Sequence, residues 1–500
     1  MKKVFDLMVI VVFVIFFAKT NAQENVFLDR AYWKLNPSID QINKDIATGN
    51  DPAELNKFAF DAVSYALIEK VDNSTIKYLL GKKGNDVNKK THDGRTYIFW
   101  AIYRDNLEMM QFLLKKGAKT DVIDSHGYSL LNFGAVTGQK NTKLYDFCIE
   151  NGADVLTEKN NDGANPLLLV APFLEDDSLI TYFTGKGIDL HSQDDNGNGI
   201  FNYAAKKGNK TVLELLIKKG VVYKTLNHLD GNAFIFASQG TRNSVNNLEL
   251  YKYLENIGIR PDVVTDDGIN PLHAIAFKNK EQEIFNYFIE KGVDINQANK
   301  KGDTPFANAV SRNDLESVKY LITYVKDINQ SNKSGITPLM TAVQRNTFDV
   351  INLLLDKGAN TKVKDVEGNS LAYYVLKSYN KEKPEEFDKK IVLLQEKGVN
   401  LKEPQADGET LWHLAAKEND LTLLKKIEKL NIPLNEKNDE GNTALHLAAM
   451  KANKTNVLKF LLENGADKNI QTSFKETVFD LASENELLQK QNIELDFLQE

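Results

Sequence analysis

Along most of the chain, apolar residues return as pairs of short helical stripes separated by polar turns. Residues 439–469 show the unit at its plainest: a turn at Gly441, apolar Leu445, Leu447 and Ala448, a polar break, then Val457, Leu458, Phe460, Leu461 and Leu462. That spacing predicts two facing helices, Thr443 to Lys451 and Asn456 to Glu463, because residues three and four apart share a helix face. Thr443 suits the first helix's N-cap, where its hydroxyl satisfies an unpaired amide. Gly465 suits the second helix's end, because glycine enters the left-handed region without a Cβ clash. One such pair is too small to bury its own apolar face, so it needs neighbours.

The neighbours follow in register. The helix-ending glycine recurs at Gly49, Gly84, Gly117, Gly152, Gly187, Gly220, Gly258, Gly292, Gly358, Gly398 and Gly465. Asn431 and Val325 hold the same place, and asparagine is the next most tolerant residue there. Val325 has no such tolerance, and a locally altered turn is expected at it. The intervals run from 33 to 35 residues, except 38 before Gly258 and 40 before Gly398. The two long ones come from inserts between paired helices, Ser238 to Asn247 and Ser378 to Lys390. The second is charged, contains Pro384, and is expected to be an exposed loop.

The start of each unit carries a further signature: Asn270-Pro271-Leu272-His273, Thr304-Pro305-Phe306, Thr337-Pro338-Leu339, Thr410-Leu411-Trp412-His413 and Thr443-Ala444-Leu445-His446. Proline at a first helical position loses no hydrogen bond. With a period near 33 and a turn and two helices per unit, the chain resembles the ankyrin repeat family. The resemblance implies an all-α ankyrin-repeat solenoid of about fourteen stacked helix pairs with β-turn or hairpin tips. It implies partners held along the concave side by turn tips and first helices. It also implies a structural role for His273, His413 and His446, bonded to the turn and the neighbouring repeat.

Divided by pattern, residues 1–22 read as a signal peptide and residues 23–91 as divergent N-terminal capping modules. The regular array is expected over 92–474 and a C-terminal capping module over 475–500. Asp51-Pro52 is expected to start a long first helix through Lys70, and residues 485–498 to close the chain as an amphipathic helix. No linker interrupts the array, so one continuous solenoid is expected. The Met1–Ala22 reading rests on Lys2 and Lys3, the apolar run from Val4 to Ala18, and small or polar residues before Gln23. The run is shorter than the roughly 20 residues a bilayer span needs. An uncleaved membrane anchor is the alternative. Export is therefore expected, to a bacterial periplasm, with secretion or N-terminal anchoring as alternatives.

Composition changes this picture little: 42% apolar and 26% charged residues exclude wholesale disorder. Cleavage after Ala22 removes Lys2, Lys3, Lys19 and Asp6, taking the net charge from −7 to −9. An acidic whole argues against a nucleic-acid partner, which needs a basic footprint. The single cysteine, Cys148, excludes an internal disulfide and falls where other units place buried leucine.

Catalytic and cofactor motifs are missing: no phosphate-binding loop, zinc-protease helix or nucleophile elbow occurs. No catalytic residue, cofactor or metal is expected. His92, His126, His191 and His228 lie scattered over turns without partners at ligand spacing. A hydrolase or transferase site in the divergent repeats of residues 162–260 is the remote alternative.

What remains is surface. The tenth residue after each turn glycine marks the exposed end of a first helix. It is basic in six of the eleven repeats: Arg104, Lys207, Lys278, Arg312, Arg345 and Lys451. Tyr103, Phe173 and Phe277 provide rings beside them, and the tips carry His92, Arg95, His126 and Tyr128. Arginine and aromatic residues dominate interface energies, so the strip suits a protein partner with an acidic surface. A helix C-terminus also attracts cations through its dipole, and both readings stay open. The partner expected is a protein in the cell envelope, with an inhibitor of a toxin or enzyme, or a membrane-tethered scaffold, as alternatives.

Overall fold

The computed structural model describes residues 25–242, 244–491 and 493–499, so the signal-peptide reading of residues 1–22 lies outside the described residues. The described chain holds twenty-eight α-helices and no strand, only an isolated bridge between Thr241 and Ser244. They form fourteen pairs, as expected. No helix among the described residues is long and apolar enough to cross a membrane.

The chain divides into two compact units. One comprises residues up to 171 with 177–195; the other comprises 172–176 with 196–500. In the first unit, successive first helices Ala62–Ile68, Tyr97–Tyr103, Leu130–Val136 and Pro166–Val170 pack side by side. In the second, the same order runs from Ile200–Ala205 through Val478–Glu484. First helices are buried nearly all round: Tyr97, Ile98, Phe99, Ala101 and Ile102 in one, Leu411, Trp412, Leu414, Ala415 and Ala416 in another. Second helices bury one stripe only, such as Val457, Leu458 and Leu461. Cys148 is buried in such a stripe, and burial pushes its thiol pKa up.

All eleven helix-ending glycines have positive φ, from 77° at Gly398 to 104° at Gly152, and Asn431 joins them at 52°. Val325 takes another route. The helix Leu315–Leu321 tightens into a 3₁₀ turn, Ile322–Tyr324, and Val325 leaves it extended at φ −82°. The tip at Gly231 also differs, because Asp230 takes the left-handed place at φ 56°.

Adjacent tips are joined by single backbone hydrogen bonds. Ser125 N–H donates to Asp93 O (2.8 Å), Lys300 N–H to Asp267 O (2.7 Å), Lys333 N–H to Lys301 O (2.9 Å) and Val366 N–H to Ser334 O (3.0 Å). A second tie lies at the other end of the first helices. Asn313 Nδ2–H donates to Ala276 O (2.8 Å), Asn346 Nδ2–H to Val310 O (2.8 Å) and Asn485 Nδ2–H to Ala449 O (2.8 Å). Helix C-terminal carbonyls lack intrahelical partners, and each asparagine gives one to the preceding repeat.

Two of the three histidines act as the resemblance implied, whereas His446 accepts from Thr443 N–H (3.1 Å) and its buried Nε2 finds no partner in the next repeat among the described residues. Thr410 N–H donates to His413 Nδ1 (3.1 Å), so the ring proton sits on Nε2 and donates to Asn442 O of the next repeat (2.9 Å). His273 does the same between Asn270 N–H and Asp303 O.

Three expected elements differ. The long helix from Asp51 is instead a loop to Asp61 and a short helix, Ala62–Ile68. Asn56 Oδ1 accepts from Phe58 and Phe60 N–H and curls the chain, and Ala59 is left-handed at φ 58°. Asp61 then caps the helix at Ser64 N–H (2.9 Å) while holding Lys89 Nζ (2.8 Å) and Tyr97 Oη (2.7 Å). The 378–390 insert is no loop beyond Lys383: Pro384 opens a thirteen-residue helix, Pro384–Glu396, with Phe387 and Lys390 buried. The C-terminal helix is only Glu486–Gln489, followed by a 3₁₀ turn, and Leu488 and Leu498 supply the cap's buried contacts.

Two expectations follow. A Cβ on Gly335 (φ 76°) would lie 2.9 Å from Val366 N and 3.0 Å from Asp365 Cα, whereas one on Gly358 (φ 90°) meets nothing within 4 Å. Gly358→Ala should cost about 1 kcal/mol of backbone strain, and Gly335→Ala roughly 2–3 kcal/mol, read as urea unfolding midpoints. Burial lowers the pKa of His273, His413 and His446 in the fold, below the roughly 6.5 of an unfolded histidine. The neutral rings therefore contribute stability that is present above about pH 6.5 and lost as pH falls through the folded values. Unfolding midpoints should drop between pH 7.5 and 5, and less steeply in His413→Gln.

Candidate partner-binding surface

The first unit brings the sequence's tip residues onto one carboxylate. Thr91 to Arg95 forms a tight turn in which Asp93 and Gly94 are both left-handed (φ 57° and 72°). That turn presents Asp93 Oδ2 to His92 Nε2 at 3.3 Å, His126 Nε2 at 3.2 Å and Arg95 Nη1 at 3.0 Å. Phe58 O accepts from His92 Nδ1 at 2.9 Å. The two histidines expected to lie scattered thus converge on a carboxylate. No group of three His, Cys, Asp or Glu among the described residues is placed to hold a metal ion.

Around this point lies a continuous set of rings. His92 stacks on Phe60 (centroids 4.4 Å apart), and Phe60 meets Tyr65 (5.1 Å) and Trp100 (5.6 Å). Trp100 meets Tyr103 and Phe133 (6.4 and 6.2 Å). Trp100 and Phe133 are buried, whereas Phe60, Tyr65, Tyr103 and Tyr128 are half-buried. Phe58 and His126, at the edge, are each 58% exposed. Burial raises the Tyr128 phenol pKa.

Arg95 does not offer itself to a partner. It is only 9% exposed, its Nε donates to Asp124 Oδ2 (2.8 Å), and its guanidinium lies over Phe133 (4.5 Å) and Trp100 (5.5 Å). It fixes the tip from beneath. Arg104 lies over Tyr103 (4.9 Å), half-buried. Phe58 and Phe60 were missed because the 51–61 loop read as helix; Pro52 with Asn56 was the available signal.

In the second unit the remaining candidates lie at or near the C-terminal ends of several first helices. Lys207 lies over Phe173 (6.0 Å) and Arg312 over Phe277 (5.5 Å), each cation resting on the preceding repeat's ring. Lys278 Nζ donates to Gln239 O, and burial lowers its pKa. Arg345 and Lys451 are exposed.

Removing Arg95 leaves the fully buried Asp124 carboxylate without its cation. Arg95→Ala should therefore cost about 3–5 kcal/mol in urea unfolding. His126→Ala, at an exposed edge, should stay within about 0.5 kcal/mol.

Comparison with known proteins agrees with this architecture. The family profile described as "Ankyrin repeats (3 copies)" matches residues 63–159, 237–332, 272–365, 306–382 and 385–472. The chain is similar to the transient receptor potential cation channel subfamily A member 1 of Homo sapiens, 23% identical over 86% of this chain and 32% of that protein. It is also similar to the phosphocholine transferase AnkX of Legionella pneumophila, 26% identical over 53% of this chain and 25% of that protein. A third relative is the palmitoyltransferase AKR1 of Saccharomyces cerevisiae, 30% identical over 21% of this chain and 14% of that protein. The chain thus spans a third or less of the length of these relatives. Ankyrin repeats form protein-interaction scaffolds and are in general non-enzymatic binding modules. The chain belongs to the ankyrin-repeat family.

Proposed function

We propose that this chain is a non-enzymatic scaffold that holds a partner protein on the ring-rich tip face of its first unit. The observation that carries the reading is the run from Phe58 through Phe60, His92 and Tyr103 to His126, partly open to solvent and braced beneath by Arg95. Large rings held rigid supply contact area with little further ordering cost, which is why they dominate interface energies. Exposed Lys207, Arg312, Arg345 and Lys451 favour an acidic partner surface by steering encounter. The setting is the cell envelope, reached by export with cleavage after Ala22, on the strength of the basic start and the apolar run from Val4 to Ala18.

Affinity capture from an envelope fraction with the full chain tests this. A partner should be enriched by the wild-type protein and lost with Phe58→Ala/His126→Ala, whose unfolding midpoint stays unchanged. Equal capture by both proteins would move the contact elsewhere. N-terminal sequencing of the same preparation should begin at Gln23, and a start at Met1 would indicate a tether.

A further inference from the structure

The repeat carrying the 378–390 insert is closed differently from its neighbours. In the two repeats before it an asparagine ties the C-terminal carbonyl of the preceding first helix, Asn313 in one and Asn346 in the other. The matching carbonyl of the helix Pro338–Arg345 is Val343 O, and it receives Lys390 Nζ at 2.9 Å. A neutral clip has been replaced by a cation.

Lys390 is 5% exposed, and its Nζ has a carbonyl but no carboxylate as partner among the described residues. Glu386, one turn away, is taken by Lys389 at 3.0 Å. Burial pushes the Lys390 ammonium pKa down to about 8, against the opposing pull of Glu386. A buried cation without a counter-charge is costly, and among the described residues its Nζ makes the one bond to Val343 O.

Lys390 is among the residues lining a cleft of about 800 Å³, within the range of small-molecule sites. Arg345, Lys383 and Lys389 stand around it, all exposed. The first turns of the helices Phe348–Asp356 and Pro384–Glu396 also border it, and neither has a side-chain cap bonded to its amides. Helix N-termini of this kind favour anions. Asp349, Glu385 and Glu386 line the cleft too. They sit in those same first turns, where they answer the helix dipoles. Phe348 adds a half-buried ring.

We propose that this cleft binds a small phosphate monoester, its phosphate between Lys390 and Arg345 and its organic part against Phe348. A dianion with three terminal oxygens meets the lysine's donors, the arginine fork and a helix amide together. A carboxylate has only two oxygens and half the charge to offer. The site shares only Arg345 with the basic strip and binds phosphate without any partner.

Titration calorimetry of the full chain with phenyl phosphate, without any partner, tests it. Saturable binding is expected, tighter than for inorganic phosphate and much tighter than for benzoate. Bound phenyl phosphate should protect Lys390 from acetylation by acetic anhydride, mapped by peptide mass spectrometry. Because Lys390→Met also removes the tie to Val343, the deciding variant is Arg345→Ala/Lys383→Ala, which keeps that tie. It should weaken phenyl phosphate by about tenfold or more, the contribution of hydrogen bonds to a charged group. No saturable binding at millimolar concentration, equal affinity for benzoate, or unchanged affinity in the double variant would each overturn the proposal.

Discussion

Every helix pair in this chain leaves an apolar face that only the next pair can cover, and the remaining features are consequences of that dependence. Burial of this face is non-directional and proportional to area, so by itself it leaves the register of one repeat on the next loosely set. Register comes from polar ties at both ends of the first helices. At the tips a backbone amide reaches the preceding turn, as Lys333 N–H reaches Lys301 O. At the far ends, asparagine side chains give the preceding helix's last carbonyls a partner. Buried polar groups must be paired, so the chain draws on an obligation it already has to fix how repeats sit.

That economy explains why the ring-rich face of the first unit is rigid. Asp93 is held left-handed by its turn, and its carbonyl accepts from Ser125 of the next tip. Its carboxylate meets Arg95 from below and two histidines from the sides. Arg95 in turn is locked by Asp124, whose Oδ1 accepts from the N–H groups of His126 and Tyr128. The network positions Tyr128 and His126 relative to Phe60 and His92 across two repeats. A partner meeting this face would need little rearrangement of it.

Most of the fold was legible because helix ends and tips are set by backbone conformation. The left-handed region favours glycine or a tolerant substitute, so Gly49 to Gly465 mark the repeats even where other signatures have decayed. Asn431 shows the rule and Val325 its escape, through a 3₁₀ turn that needs no left-handed residue. Legibility failed where a side chain reorganised its own backbone. Asn56 curls a stretch that Pro52 and the following residues left looking helical. In the insert, Pro384 was read as a loop breaker although proline is at home at a first helical position. Phe387, Ile391 and Leu394, spaced for one helix face, carried the correct signal. The convergence of His92 and His126 on Asp93 could not be read at all, since those residues approach only through the stacking of two tips.

The basic strip shows how a local cause and a functional one share a position. A helix C-terminus attracts cations through its unpaired carbonyls, and Lys278 answers that pull by donating to Gln239 O, the last residue of the preceding first helix. Lys207 and Arg312 answer a different pull, lying over Phe173 and Phe277. Such contacts hold a cation in place and leave it charged at the surface, where cation–π attraction is modest. The dipole therefore explains why cations collect at these ends, and the rings explain why some are ordered there. Lys390 marks the limit of the same logic: the carbonyl at one helix end recruits a cation from an inserted helix, and burial then leaves that cation short of an anion.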